Sequence, residues 1–467
     1  MKTETFEKIK KYSEASGSMA VVDANIKMRL NEYGLYEETV VDPKKDISNQ
    51  ALFVSPNYNS EINESNVADD LYKNITDIQY DNRIGYYTSL YAGYVAEGDY
   101  RAQASSGGMG TWILKELFEK DLVDSIIHVK KSEDSERLFQ YDISSSLKEI
   151  QAGAKTRYYP VELSEVIKRV KDNPGRYAVI GIPSFIYAIR LLAKQDEVIN
   201  QRLKFTVGLI CGHQKSSKFA ESMAWQVGIE PGNLVDIDFR HKLLDRPANH
   251  YGVKMTGLID NELKTIIKPK DELFGQDWGW GLFKPTTSNF TDDVFNETAD
   301  VVLGDAWLPE YETDSLGTNI IIVRNPEINS LIKEAIKEKR LELVDIDKEK
   351  VFKSQASHYR HTHDELAYRL YKKDKQNEWR PKKRVQASTD ISSSRKKVQD
   401  LRESLAFNSH LYYKEAVQKN NYLIFEESIH PLANKYKKVY RAMNKKKLFQ
   451  RIAKLGLRGI FNKVKGT

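Results

Sequence analysis

Apolar and polar positions alternate most regularly in the middle of this 467-residue chain, between Lys155 and Phe239. Leu163 to Val170 has helical spacing, RYAVIGIP reads as a buried strand and SFIYAIRLLAKQ as a helix. KFTVGLICG is a second buried strand, SSKFAESMAWQVGI a helix and NLVDIDF a third strand. Apolar strands separated by amphipathic helices predict parallel pairing through right-handed crossovers, with ligand sites at the carboxyl ends of the strands. Two of those ends carry loop residues suited to a ligand, Gly181-Ile182-Pro183-Ser184 and Gly212-His213. Upstream, IKMRLNEYGLYEETVVD predicts a hairpin about Gly34, ESNVADDLYKN a helix, IGYYTSLYAGYVAEGDYR an extended stretch, and SIIHVKK and LFQYDIS two strands. Downstream, YGVKMTGLID, ADVVLGDAW and TNIIIVR read as strands and PEINSLIKEAIKEKR as a helix. Beyond Asp347, polar helical patterns at Ser354 to Lys373 and Lys396 to Phe407 flank a basic linker, KQNEWRPKKRVQ. The expected fold is α/β, a mixed sheet core with alternating βαβ units and a helical C-terminal appendage. Four units are expected: 1–50, 51–346, 347–433 and 434–467.

One stretch couples this pattern to chemistry. In RAQASSGGMGTWILKELF a polar, glycine-rich turn runs into an amphipathic helix, with Trp112, Ile113, Leu114, Leu117 and Phe118 on its apolar side. Ser105, Ser106, Gly107, Gly108 and Gly110 permit close backbone approach, and the helix N-terminus favours a phosphate or another electron-rich group. No lysine follows the glycines and the spacing is not G-x-G-x-x-G, so neither common phosphate fingerprint applies. A tight turn capped by serines is the alternative reading.

Composition narrows the function classes. The longest apolar runs are too short to cross a membrane and the first residues, MKTETFEKIKKYSEASG, carry no signal-peptide segment, which predicts a cytoplasmic protein. Cys211 is the only cysteine, which excludes an internal disulfide and any cysteine-ligated zinc or iron-sulfur site of the usual kind. Net charge is +6, yet residues 434 to 467 hold twelve Lys or Arg and no Asp or Glu, so the body is mildly acidic. Nucleic acid is therefore not an expected partner. In the tail, Lys447, Arg451, Lys454, Arg458, Asn462 and Lys465 fall on one helical face. Leu448, Phe449, Ile452, Leu455, Ile460, Phe461 and Val464 lie mostly opposite, as suits peripheral contact with an anionic membrane. Gly456 and Gly459 weaken that helix, leaving a protein-docking or disordered tail open. His358, His361 and His363 lack the HExxH spacing and are expected on a solvated helical face, not at a metal. Trp278 and Trp280 are expected in a core, and Cys211 as a buried core thiol.

ASSGGMGTWILKELFEKDLVD, AGAKTRYYPVELSEVI, GIPSF, GLICGHQKSSKFAESMAWQVGI, DFRHK and ETADVVLGDAWLPEYETDSLGTNIIIVR, in this order, resemble the family of beta subunits of coenzyme F-420-reducing hydrogenases and dehydrogenases. The resemblance covers roughly residues 59 to 346 and implies an FAD-binding oxidoreductase. It implies that Ser105, Ser106, Gly107 and Gly108 cradle FAD, that Lys155 and Thr156 lie near it, that the loop Gly181, Pro183, Ser184 adjoins it, and that Gly304 and Asp305 close the pocket. Read without it, Lys155 is a surface lysine, and Asp305 is either a turn residue after a buried strand or a ligand contact. His213, at a strand end, is the candidate proton donor; no catalytic residue is otherwise assigned. The family's cluster cysteines are replaced: Ser184 stands in its GxPC, Ser288 and Thr291 in its CxxC, and Ser13, Ser16 and Met19 in the N-terminal CxxCxxC, making 1–50 a degenerate ferredoxin-like remnant. No iron-sulfur cluster is therefore expected, and reducing equivalents would arrive as hydride from NAD(P)H or a deazaflavin. The competing reading is a non-catalytic accessory protein in bacterial surface-polysaccharide biosynthesis.

Overall fold

The computed structural model describes residues 1–134 and 136–464, with side chains except those of 451 and 454–464. Strands β1 (Ile26–Leu30) and β2 (Tyr36–Val40) form the predicted hairpin, and β3 (Gln79–Asp81) with β4 (Gly85–Tyr87) a second short ribbon. The main sheet is built from β5 (Ser89–Val95), β6 (Ser125–Lys131), β7 (Phe139–Ser144), β8 (Tyr177–Gly181) and β9 (Leu203–Leu209). A separate three-stranded sheet contains β10 (Leu234–His241), β11 (Gly252–Ile259) and β12 (Glu262–Pro269). β13 (Val301–Asp305), β14 (Asn319–Val323) and β15 (Leu341–Asp345) return to the main sheet, whose order is β15-β5-β14-β13-β9-β8-β6-β7.

The strands β13, β9, β8 and β6 are parallel, and the flanking strands antiparallel. In β14, Ile320 and Ile322 enter one core cluster while Ile321 and Val323 enter another, so both faces are covered and the strand is apolar throughout. Helix Met109–Glu119 supplies Trp112, Ile113, Leu114 and Leu117 to one layer, and Pro183–Gln195 supplies Phe185, Ile186, Ile189 and Leu192 to the other. The glycine turn and the loop after β8 thereby meet at the carboxyl ends of the parallel strands.

Three expectations are corrected. NLVDIDF is a strand, but it pairs antiparallel with β11 in the smaller sheet. Its Asp236 and Asp238 alternate with buried Ile237 and Phe239, the pattern of a sheet covered on one face. The helical run at Ser354 to Lys373 is broken into Ala356–Thr362 and Asp364–Lys375 by non-helical backbone at His363. The basic linker is no loose connection: Trp379 packs on Tyr12 and Tyr58 at centroid distances of 5.2 and 5.6 Å, and Arg384 pairs with Glu297 at 2.8 Å. These contacts tie the linker to the N-terminal unit and to the core, although Trp379 itself stays 36% exposed.

The C-terminal helices Ser393–Gln418 and Tyr422–Val464 pack as a hairpin beside helix Ser217–Trp225, and Leu405, Tyr413, Phe425 and Ile429 share one buried cluster with Phe239 and Met255 of the smaller sheet. The second helix runs on through Asn434, with Tyr436 still buried and Leu448 and Phe449 exposed. The faces expected from Arg451, Lys454, Leu455, Arg458, Ile460, Phe461, Asn462, Val464 and Lys465 lie outside the described side chains. Among the described residues no helix is long and apolar enough to cross a membrane.

Candidate functional site

The glycine turn is held from behind by the sheet. Ser106 Oγ donates to the Thr318 carbonyl at 3.1 Å and the Met109 amide donates to Asn319 Oδ1 at 3.2 Å. Gly108, at φ +93°, caps the helix that starts at Met109. Gly107 is packed on the sheet: a Cβ there would lie 2.7 Å from Asn319 Oδ1 and 2.8 Å from the Gly93 carbonyl oxygen. Its role is close packing on β5 and β14, whereas Ser105, Ser106, Gly108, Gly110 and Thr111 line a cavity of about 290 Å³.

The opposing wall comes from the loop after helix Leu147–Ala152. The Thr156 amide donates to Ser105 Oγ at 2.9 Å, and Lys155 sits at φ +95° with Nζ 3.1 Å from Asp238. A lysine held in that backbone region is costly unless its surroundings over-determine it. Gly181, Gly304 and Asp305 close the floor at the ends of β8 and β13, and His213 reaches the same cavity. Thus Ser105, Ser106, Gly108, Lys155, Thr156, Gly181, Gly304, Asp305 and His213 are brought together, while Pro183 and Ser184 face a smaller neighbouring cavity.

Cations dominate the lining. Lys155, Arg157, Lys215 and Arg240 contribute to it, against Asp305 as the one carboxylate among the described residues. Asp305 is already paired with buried Arg240 at 2.6 Å. Behind the turn, Lys242 Nζ donates to the Ser106 and Leu316 carbonyls at 2.9 and 2.6 Å. Burial, reinforced by Lys155, Arg101 and Arg240, pushes its pKa down to about 7. Burial and nearby Arg402 likewise push Lys215 down to about 7. His213 is held well below its ordinary value by burial and by Lys215, Lys284 and Arg402, so its ring is neutral. Its Nε2, like Arg157 Nε and Arg240 Nε, is buried without a protein partner. Such a surface suits an anionic ligand, with Tyr141, Tyr158 and Phe185 providing apolar area beside it.

Arg157, Arg240, Lys215 and Asn319 are site residues that the sequence reading passed over. Arg157 follows Lys155 and Thr156 directly, and Arg240 sits in DFRHK, so a signal was present; an arginine or lysine in sequence is more often solvated than buried.

The smaller cavity, of about 20 Å³, gathers Ser184, Ser288 and Thr291 with Cys211 and Glu14. Ser288 Oγ accepts the Gln214 amide at 3.1 Å. Cys211 is therefore half-buried between two cavities, not in the core, and burial pushes its thiol up to about 11. Ser13 Oγ donates to Glu38, Ser16 Oγ lies 3.0 Å from Ser18 Oγ, and Met19 is fully buried. Trp280 is in a core as expected; Trp278 is half-buried, its ring 5.0 Å from that of His213. The histidine trio is not on a solvated face: His361 is 4% exposed beside Glu365, and His363 stacks on Tyr359 at 3.7 Å. Among the described residues no group of three potential ligands could hold a metal.

Glu14, buried and offset only in part by Lys383, has its pKa pushed up to about 8. Since that lies above the value in the unfolded chain, the protonated acid favours the folded state. Its contribution is complete below pH about 4.5 and is lost as pH rises through about 8. Urea melts should therefore show stability falling across this window by at most about 1.4 kcal/mol per pH unit from this group. Glu14→Gln, neutral throughout, should flatten the slope, leaving the parts due to Glu38, whose pKa burial pushes up to about 7, and Asp293, pushed up to about 8 by burial. An unaltered slope in the variant would mean that Glu14 ionises in the fold.

A cavity lined by Lys155, Arg157, Lys215 and Arg240 at the carboxyl ends of parallel strands, closed by a glycine turn at a helix N-terminus, is the candidate ligand site of this α/β protein. The chain belongs to the family of coenzyme F420 hydrogenase/dehydrogenase beta subunits: the family's N-terminal region matches residues 90–168 and its C-terminal region residues 175–349, together more than half of the chain. It is 26% identical over 110 residues to one of the subunits of the F(420)H(2) dehydrogenase of Methanosarcina mazei, a match spanning 24% of this chain and 30% of that protein. The chain thus matches under a third of the length of that curated relative. A chain of the F420-reducing nickel-iron hydrogenase complex from Methanosarcina barkeri, solved as a xenon derivative, aligns over 63% of this chain and 96% of its own length. That alignment has a TM-score of 0.47 at 14% identity.

Proposed function

We propose that this chain binds FAD in the cationic cavity and exchanges hydride with a soluble donor or acceptor, without an iron-sulfur relay. The carrying observation is the convergence of the serine-glycine turn with Lys155, Arg157 and Arg240 on one cavity. The unpartnered nitrogens of Arg157 and Arg240 fit the oxygens of a diphosphate, and the adjoining aromatic side chains fit a flat ring. When bound, FAD supplies the two-electron chemistry, taking up hydride from one partner and returning it to another. The protein's own part is to neutralise the diphosphate with fixed cations, to orient the ring, and to keep water from the reacting face. The neutral His213 ring can hold or deliver a proton through Nε2 at that wall.

The cluster-free reading rests on the donor set. Ser184, Ser288 and Thr291 share their small cavity with a single thiol, and Ser13, Ser16 and Met19 are engaged in hydrogen bonds or packing. Hydroxyl and thioether groups do not replace thiolates on iron. Purified without oxygen, the protein should show a flavin absorbance spectrum, or acquire one with added FAD, and contain neither stoichiometric iron nor acid-labile sulfide. A colourless protein that FAD does not reconstitute would favour the accessory reading. Stoichiometric iron with sulfide would overturn the cluster-free one.

A further inference from the structure

The wall that follows β9 differs from the glycine-turn wall. Lys215 is 3% exposed, its Nζ donating to the Leu282 carbonyl at 2.6 Å and lying 4.8 Å from the Trp278 ring. His213 flanks it, with Nε2 unpartnered. Behind these two residues the protein accumulates buried positive charge. Lys284 is 2% exposed and Arg402 9%, the latter with an unpartnered Nε. Arg369 lies farther back and uses its guanidinium on the carbonyls of Asn289 and His361 and on Gln399. The buried and half-buried acids nearby are engaged elsewhere, Glu365 receiving Arg395 and Gln399 and Glu403 receiving Lys372, which leaves the solvent-exposed Asp277 as the carboxylate that acts on Lys215 and Arg402. Buried cations without a counter-charge are costly, and an anion arriving from the cavity would relieve that cost.

We propose that His213 and Lys215 form a second anion-binding subsite, which takes the carboxylate or phosphate of a substrate sharing the cavity with the cofactor. This assignment of substrate class rests on the dinucleotide occupying the glycine-turn side, as inferred above. Lys215 supplies the charge at the cavity surface, His213 a hydrogen bond, and Arg402 a standing positive potential behind them, whereas burial beside Arg402 and Arg369 drives Lys284 toward its neutral form. The lowered pKa of Lys215 accords with a site that gains from an anion, because an anion restores the charged ammonium.

The test uses the full chain, with inorganic phosphate and succinate as separate calorimetric probes and FAD affinity measured in parallel. At least one probe should bind with unit stoichiometry. Lys215→Met should weaken it by about tenfold or more, as expected for loss of a charge-assisted hydrogen bond, while FAD affinity stays close to that of the wild type. Which probe binds distinguishes phosphate from carboxylate. A second measurement needs no change at Lys215: the probe should alter tryptophan emission in the wild type, and Trp278→Phe should remove that response. The subsite is overturned if neither probe binds, if Lys215→Met binds as the wild type does, if that variant loses FAD and anion together, or if the emission change survives in Trp278→Phe. Lys215-dependent anion binding in a chain that does not bind FAD would refute the cofactor reading and leave the subsite standing.

Discussion

Gly107→Leu is expected to lose the fold, not merely the ligand. A Cβ at this position meets Asn319 Oδ1 at 2.7 Å, the Gly93 carbonyl oxygen at 2.8 Å and the Asn319 backbone nitrogen at 2.9 Å. Two of those three atoms are backbone of adjacent, hydrogen-bonded strands, β5 and β14, so they cannot move aside without parting that pair of strands. The Gly107 carbonyl also accepts the Val95 amide at 2.8 Å, tying the turn to the end of β5. Overpacking of a tight core site ordinarily costs about 1–3 kcal/mol, and a leucine against fixed backbone belongs at or beyond the top of that range. Denaturant melts should register the loss, or the variant should be recovered only in aggregates. Ser106→Ala, which loses one hydrogen bond to the Thr318 carbonyl, should cost about 1 kcal/mol and leave a folded protein. A folded Gly107→Leu variant with wild-type stability would show that the turn is not wedged against the sheet.

Asp305→Ala is expected to cost about 3–5 kcal/mol, because it strands the Arg240 guanidinium, which is buried and has Asp305 as its carboxylate partner at 2.6 Å. The pair joins the end of β13 to β10 in the smaller sheet, so its loss should also loosen the contact between the two sheets. Asp305→Asn, which keeps an acceptor oxygen at nearly the same place, should be milder. The double variant Asp305→Ala with Arg240→Met should recover part of the lost stability, since the uncompensated charge is gone. Thermal melts of wild type, Asp305→Ala, Arg240→Met and the double variant form a cycle that isolates the interaction. Equal losses in Asp305→Ala and the double variant would mean that Arg240 is satisfied by water instead.

The parallel core was legible in the chain because its signal is local. Apolar runs such as AVIG in β8 and TVGL in β9 bury both faces of a strand wherever they are placed, and the helix after SSGGMG shows its apolar side at a spacing of three to four. The scarcity of thiols could also be read directly, since Cys211 is the single cysteine in the sequence. The strand at Leu234 to His241 was legible as a strand, and its alternation of aspartate with apolar residues already distinguished it from β8 and β9. Its assignment to the parallel sheet followed chain order where the alternation pointed elsewhere.

Local pattern determined most of the elements and the glycine turn. Tertiary structure alone decided which wall each polar group joined. It turned Gly107 into the sheet, and it gave Pro183 and Ser184 to the small cavity with Ser288 and Thr291. It also buried His361 and clamped Arg384 onto Glu297 across 87 residues of chain. The physical reason is that the burial of a cation is a property of its partners. Arg240 becomes a cavity residue because Asp305, 65 positions away, neutralises it, and no local window of sequence contains both.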